Sequence, residues 1–442
     1  MDVAENQTLV EKWSEEFHGR QAPNGPGWLQ ELRDKAAAQF GISGLPGRKH
    51  EAWKYTPMRL LEGLNPSTDE PAESVHSSAS FPAPVTVASS ATVTVCNGVL
   101  APELPQTLAG VTLLPLAAGV QAFEKPLRSL LSAVELDGAS RVFSALNTAF
   151  LDQGLVIHVS ENIKAGTLLI QWAFSREEVA VLGNFRLVVL LERGAELEIV
   201  EQFESETNTA GALNVLVQAD LGEASVLKHL RVQNESDEVV LLTSTSVEQA
   251  AGSFYRYSGF DLGGGLVRHE LDATLAGDEA HVSLDGAFVL DGKRHVDNHV
   301  SVDHASPGCS SSQFFRGVLG GKSRGVFNGR ALIRPGADGS SVRQSNANLL
   351  LSPLAEIDTK PELEIYADEV EASHGATVGQ LDEAAVFYMR TRGLTDEEAR
   401  RMLTSAFCHA VSDRLEDRGL ADRISEMMDR AMPSGGLTAQ ES

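Results

Sequence analysis

The sequence predicts a mainly β protein, with a β-solenoid core flanked by N-terminal and C-terminal α-helical regions. The first observation is a change of texture from about residue 140 to 370, where β-branched runs dominate: "LVIHVS", "TLLIQWAF", "FRLVVLLE", "ELEIVEQF" and "ALNVLVQADL". The second is a loose repeat. Gly166, Gly194, Gly222, Gly252 and Gly277 lie 28, 28, 30 and 25 residues apart, and each precedes a short strand such as "GAELEIV" or "GEASVLK". A period between about 20 and 50 residues marks stacked repeats. Strand, glycine turn and strand fill this one, leaving no room for a helix. The third is helical periodicity on both sides of the run. Spacing alone leaves an antiparallel sandwich open as a rival.

Residues 1–64 form the N-terminal helical region. Leu9, Val10, Trp13 and Phe17 recur at helical spacing, and Leu29, Leu32 and Ala36 resume it after a Pro-Gly break. A basic-aromatic stretch, "GRKHEAWKYTP", ends at Pro57. Residues 65–139 are assigned to a linker and mixed segment, because 65–90 are rich in Ser, Pro and Ala without periodicity. The β core takes 140–380 and a C-terminal helical domain takes 381–432. In that domain Thr395 and Glu398 form a capping box that opens a helix. Ala399, Met402, Leu403, Ala406, Phe407, Ala410 and Val411 make an apolar stripe along it, and a shorter helix carries Leu420, Ile424, Met427 and Met428. Residues 433–442 are expected to be a disordered tail.

Composition narrows the function. The 442 residues carry 61 acidic and 36 basic side chains, a formal charge of −25, which disfavours nucleic acid as a partner. No apolar run approaches the roughly 20 residues of a membrane span. The N-terminus "MDVAENQTLVEKW" has neither an apolar signal core nor an Arg-rich transit pattern, so a cytoplasmic protein is expected. Cys96, Cys309 and Cys408 are too few for a four-thiolate metal site and form no Cys-x-x-Cys pair.

Four stretches invite chemistry. "GVLGGKS" (317–323) misses the phosphate-loop spacing and lies among β-branched residues, so it reads as a turn between strands. In "HVDNHVSVDH" (295–304), strand alternation puts His295, Asp297, His299, Ser301 and Asp303 on one face. Three of these, His295, Asp297 and His299, could hold a divalent metal in a stand-alone β-fold metalloenzyme. A solvated polar strip is the favoured reading. In "RKHEAWKYTP", Trp53 and Tyr55 are expected to pack on the core. "EVEASHGATVGQLD" (369–382) offers a single histidine, His374, at a strand-to-helix junction, and its residues alone do not mark it as functional.

Three stretches carry a family resemblance: "RKHEAWKYTP" (48–57), "HASPGCSSSQFFRGVLGGKSRGVFNGR" (304–330) and the run from "NANLLLSPLAEIDTKPELEIYADEVEASHGATVG" to "RTRGL" (346–394). The chain resembles the SufB/SufD family of the SUF iron–sulfur cluster assembly system over essentially its whole length. Ser373-His374-Gly375 stands where SufB has Ser-His-Glu, which favours the SufD branch. The resemblance implies a right-handed parallel β-helix and a non-catalytic scaffold subunit. It implies pairing with a SufB-like subunit through the β-helix core and with a SufC-like ATPase through the C-terminal helices. The residues expected to form the ATPase dock are Met402, Leu403, Ala406, Phe407, Ala410 and Val411. His374 matches the family's functional histidine, an iron or cluster ligand shared across the partner interface. No cofactor is expected on the isolated chain, and iron or a nascent cluster would be held transiently in the complex. The family commonly carries Cys two residues before this histidine; here the position is Ala372.

Overall fold

The computed structural model describes residues 2–20, 25–68, 83–85, 89–105, 109–174, 180–206 and 208–433. Most of the Ser/Pro-rich stretch read as a linker, and nearly all of the tail read as disordered, lie outside these residues. Two sheets face each other. One runs in the order β19 (Glu371–Gly379), β17 (Ser341–Leu350), β15 (Ser310–Leu319), β13 (His281–Leu290), β11 (Phe254–Asp261), β9 (Val226–Asn234), β7 (Glu196–Ser205), β5 (Lys164–Phe174), β1 (Ser89–Cys96) and β2 (Val99–Leu100). The other runs β18 (Glu356–Ile365), β16 (Arg324–Ile333), β14 (His295–His304), β12 (Leu266–Leu275), β10 (Val239–Gln249), β8 (Gly211–Leu221), β6 (Leu182–Leu191), β4 (Gln153–Val159) and β3 (Val111–Pro115). From β4 onward the chain alternates between sheets and every ladder is parallel. That is a parallel β-solenoid, and the antiparallel sandwich falls away.

The rungs stack because one backbone position repeats. Asn162, Gly194, Ala224, Gly252, Glu279, Gly308 and Gly339 all have φ between 55° and 74°. Each lies just before a strand of the first sheet. From Asn162 to Gly308, each donates its N–H to the carbonyl of the residue preceding its counterpart on the next rung: Gly194 to Glu223 at 2.8 Å, Ala224 to Ala251 at 2.9 Å, Gly252 to Asp278 at 2.9 Å and Glu279 to Pro307 at 3.0 Å; Gly339 donates to Glu369, its counterpart itself, at 2.6 Å. A left-handed residue turns the chain tightly enough to re-enter the sheet while leaving its N–H free to reach the next rung. The glycine period read from the sequence is the shadow of this column. Gly194 and Gly252 occupy it. Gly222 and Gly277 sit two residues before it, where a Cβ would meet the backbone of the preceding rung, Leu191 O at 2.7 Å and Ala251 N at 2.0 Å. Gly166 instead lies inside β5, at a register shift.

Alternation then sorts the side chains. Inward residues such as Leu168, Trp172, Leu187, Phe203, Val215, Leu241, Tyr257 and Phe288 build the core between the sheets, with Trp172 stacked on Phe203 at 5.0 Å. Outward residues meet helices. α1 (Asp2–Gly19), α2 (Gly27–Ser43) and α3 (Arg59–Leu64) bury Trp13, Phe40, Trp53 and Leu61 with Leu182, Ala212, Val240 and Leu266 of the second sheet. Between β3 and β4 lie α4 (Leu116–Ala122), α5 (Glu124–Ser132) and α6 (Val142–Ala149). The expected start of the β core at 140 is therefore corrected: 142–149 are helical, buried along their whole length against α2 and the second sheet. Within α6, Asn147 and Thr148 hold the guanidinium of Arg186, which is wholly buried, at 3.0 and 2.9 Å, and Gln218 adds a third acceptor at 2.6 Å. α7 (Glu383–Thr391), α8 (Asp396–Ser412) and α9 (Arg418–Ala431) close the chain, with α8 and α9 against the outer face of the first sheet. The capping box at Thr395 and Glu398 is present.

Two glycine substitutions separate the backbone demands of the turn. A Cβ at Gly252 meets nothing within 4 Å, so Gly252→Ala should cost only the left-handed strain, about 1–2 kcal/mol. Gly277→Ala must push rungs apart and should destabilise the fold clearly more. Urea denaturation of both variants checks this, and equal losses would contradict the stacked-turn account.

Candidate functional site

The solenoid ends in an open rung. β18 and β19 are the terminal strands of their sheets, and neither has an outer neighbour among the described residues. Every residue of β19 is exposed. The register explains where His374 points. The in-line column of the first sheet reads Ile199, His229, Tyr257, Leu284, Gln313, Gln344 and His374. The column is inward-facing, since Ile199, Tyr257 and Leu284 belong to the core between the sheets. His374 thus stands at the mouth of the solenoid bore, uncovered only because no further rung follows.

The mouth is polar and lined by amides, whereas polar groups deeper in the bore are ion-paired, Glu201 with His229 at 2.7 Å and Arg231 with Asp261 at 2.6 Å. Gln344 donates to Gln313 Oε1 at 3.3 Å and to the Gly329 carbonyl at 3.2 Å. Thr359 of β18 donates to Asn346 Oδ1 at 2.9 Å, and Asn348 donates to the same oxygen at 2.6 Å. Gln344 Oε1, Asn346 Nδ2 and Asn348 Oδ1 are buried without a hydrogen-bond partner among the described residues. An exposed imidazole in its neutral form can ligate a metal. His374 supplies one such donor, and among the described residues no group of three His, Cys, Asp or Glu side chains is placed to hold a metal. Further ligands would have to come from another chain. Cys96, Cys309 and Cys408 are all buried, and Cys408, deep under α9, has its thiol pushed up to about 12 by burial.

The face of β14 differs from the solvated strip that its sequence suggests. His295 and Asp297 do point outward, but the loop after the 3-10 turn Glu51–Trp53 covers them. Thr56 Oγ1 lies 3.1 Å from His295 Nε2 and also donates to Asp297. Arg268 pairs with Asp297 and Glu270, with its guanidinium 3.8 Å from the centre of the Trp53 ring. His299 Nε2 is 2.9 Å from Asp297 Oδ1. Burial alone would raise the Asp297 carboxyl; Arg268 and His299 hold it well below the usual carboxylate range. Burial pushes His295 down to about 4, with Asp297 opposing. The position a metal would take beside Asp297 is filled by a guanidinium. His299, Ser301 and Asp303 continue as a partly exposed strip, and Asp303 carries Arg334 at 2.6 Å. Arg268 and Thr56 are the residues the sequence did not flag: they lie one rung away and in another region, so only stacking brings them to Asp297.

"GVLGGKS" is a turn from β15 to β16, and Trp53 packs on Phe143 at 5.4 Å, both as expected. The stripe on α8 divides. Val411 is buried together with Cys408 and Thr404, which the stripe did not include. Leu403, Phe407 and Ala410 are half-buried, with Phe407 near Arg316. Ala406 and Met402 face outward, and Met402 is 53% exposed, as are Phe387 (67%) and Tyr388 (55%) on α7. α9 covers part of α8 through Ser412–Ser425 at 2.8 Å and Ser405–Asp429 at 2.6 Å.

Comparison with known proteins adds a family. The model described as "SUF system FeS cluster assembly, SufBD core domain" matches residues 175–407, and the "SufBD protein N-terminal region" matches 14–170. The chain is similar to the iron-sulfur cluster assembly protein SufD of Escherichia coli, 27% identical over 440 residues, covering 97% of this chain and 98% of that one. It is also similar to an iron-sulfur cluster assembly SufBD family protein of Synechocystis, 28% identical over 410 residues and 90% of each chain. A SufBD family protein of Mycobacterium leprae is 27% identical over 398 residues, 88% of this chain and 91% of that one.

The Asp297 cluster predicts a stability effect. Asp297→Ala leaves Arg268 buried beside Glu270 alone and should lower stability by about 3–5 kcal/mol. Replacing both partners, Arg268→Met with Asp297→Leu, should lose clearly less. Chemical denaturation of the single and double variants gives the comparison; a single-variant loss under about 1 kcal/mol would contradict the network.

Proposed function

Because the chain belongs to the SufBD family of the SUF iron–sulfur cluster assembly system, we propose that it is a non-catalytic scaffold subunit on which iron and nascent clusters are assembled and passed on. It pairs with a SufB-like subunit at the open rung of the solenoid and works in the cytoplasm. The observation that carries this reading is His374: a lone, exposed imidazole on the last strand, in line with the bore, with no group of further ligands beside it among the described residues. Iron or a cluster is cargo here, held transiently between His374 and donors of the partner. The free edges of β18 and β19 favour strand-to-strand pairing, the mode in which an exposed sheet edge gains main-chain hydrogen bonds from a partner.

A SufC-like ATPase docks on the C-terminal helices. The family resemblance implies a dock on the stripe residues Met402, Leu403, Ala406, Phe407, Ala410 and Val411. The exposure pattern supports a dock built from Met402 and Ala406 together with Phe387 and Tyr388, while Val411 serves the fold. No helix among the described residues is long and apolar enough to cross a membrane.

His374→Ala tests the scaffold reading. The side chain is exposed and makes no hydrogen bond among the described residues, so stability should change by less than about 1 kcal/mol. The variant should still co-purify with the SufB-like and SufC-like chains, yet cluster maturation should fall sharply in cells that lack any other assembly pathway. His374→Cys should restore part of it, because a thiolate also binds iron. The same change at His409, which pairs with Asp429 at 3.1 Å, should have far less effect on maturation. Normal maturation with His374→Ala would overturn the reading, and failure to pair would make the residue structural.

A further inference from the structure

We propose that the N-terminal helical region carries a binding cleft for a small organic anion with an apolar body and an acidic head, carboxylate or phosphate. The cleft opens between α1, the end of α2, the loop that follows and the start of α3, and encloses about 540 Å3. Its floor is apolar, built from Val10, Leu45, Pro46 and Met58, and its rim carries Arg48, Lys49, His50 and Arg59 with one acid, Glu62. The cavity falls within the roughly 300–1,000 Å3 of small-molecule sites, too small for a folded partner surface.

Charge selects the ligand. The chain as a whole carries −25, and most of its arginines are neutralised by carboxylates, as Arg141, Arg231 and Arg400 are. Arg48, Lys49 and Arg59 pair with no carboxylate among the described residues, though all three stand exposed on one rim. Three cations without a carboxylate partner among the described residues, held together against the sign of the molecule, draw an anion to that point. The apolar floor beneath them takes the body that a bare inorganic ion lacks.

The rim is held in place before any ligand arrives. His50 N–H donates to the Gly47 carbonyl at 2.9 Å, and Gly47 N–H donates to His50 Nδ1 at 3.0 Å. Trp53, its side chain buried and 2% exposed, anchors the far end of the same loop, its backbone N–H donating to the His50 carbonyl at 2.9 Å. A rim fixed in advance loses little freedom on binding. Gly41 and Gly44 keep the wall free of side chains, and a Cβ at Gly41 meets no atom within 4 Å.

Titration calorimetry on the full chain tests this with three twelve-carbon probes: dodecanoate, dodecyl phosphate and dodecyltrimethylammonium. Both anions should bind saturably, at one molecule per chain, at least ~tenfold more tightly than the cation. The tighter of the two anions assigns the head group. Arg48→Gln with Lys49→Gln and Arg59→Gln should weaken both anions by at least ~tenfold. Gly41→Leu, which fills the cleft with a side chain the helix accepts, should block binding while thermal unfolding stays unchanged. Equal affinity for the cationic probe would overturn the proposal, as would anion binding that survives both variants. An acidic peptide that binds this loop where dodecanoate does not would overturn it too.

Discussion

One hydrogen bond, repeated, carries the molecule: the N–H of a left-handed turn residue reaching the backbone of the next rung. From Asn162 to Gly339 this bond recurs every 27 to 32 residues. It fixes the length of each rung, and through that the register of every ladder. Register in turn decides which side chains face the bore and which face the helices. The core of Trp172, Phe203 and Tyr257, the buried pair of Arg268 and Asp297, and the in-line column that ends at His374 all follow from it. A rung one residue longer would reverse the faces of its strand and scatter all three.

A stacked fold also has an end, and the function proposed here lives at that end. Inside the solenoid each strand finds a partner on both sides. At β18 and β19 the ladder stops with one edge bare, and the column that is buried at Tyr257 surfaces at His374. Soluble proteins rarely leave such an edge uncovered without a purpose, since a bare strand invites pairing. The polar amides of Gln344, Asn346 and Asn348 keep that end from being a hydrophobic patch, so it can exist free and still accept a partner strand.

Much of this was legible in the sequence. The β-branched runs and the glycine period gave the solenoid, because a recurring backbone demand leaves a recurring glycine. The period was imperfect for a physical reason: Ala224 and Glu279 accept the left-handed turn at some cost, and Gly222 and Gly277 answer a different demand, close packing two residues earlier. The buried helix at 142–149 was missed because its apolar run continues without a break into the strand pattern of β4. Pairing was the harder matter. The His295, Asp297 and His299 face looked solvated because alternation reveals which residues share a face but not what lies across from it. Trp53, Thr56 and Arg268 come from other rungs and another region. His374 had no local signal of its own; only its resemblance to a family, and then the register, gave it a position.

Amide hydrogen exchange of the chain with and without its SufB-like partner reads out the open rung. β18 and β19, residues 356–379, should slow by ~tenfold or more on complex formation, while β5 to β15 keep the rates of the free chain. Protection confined to the N-terminal helices, with the last rung exchanging as freely as before, would contradict pairing there.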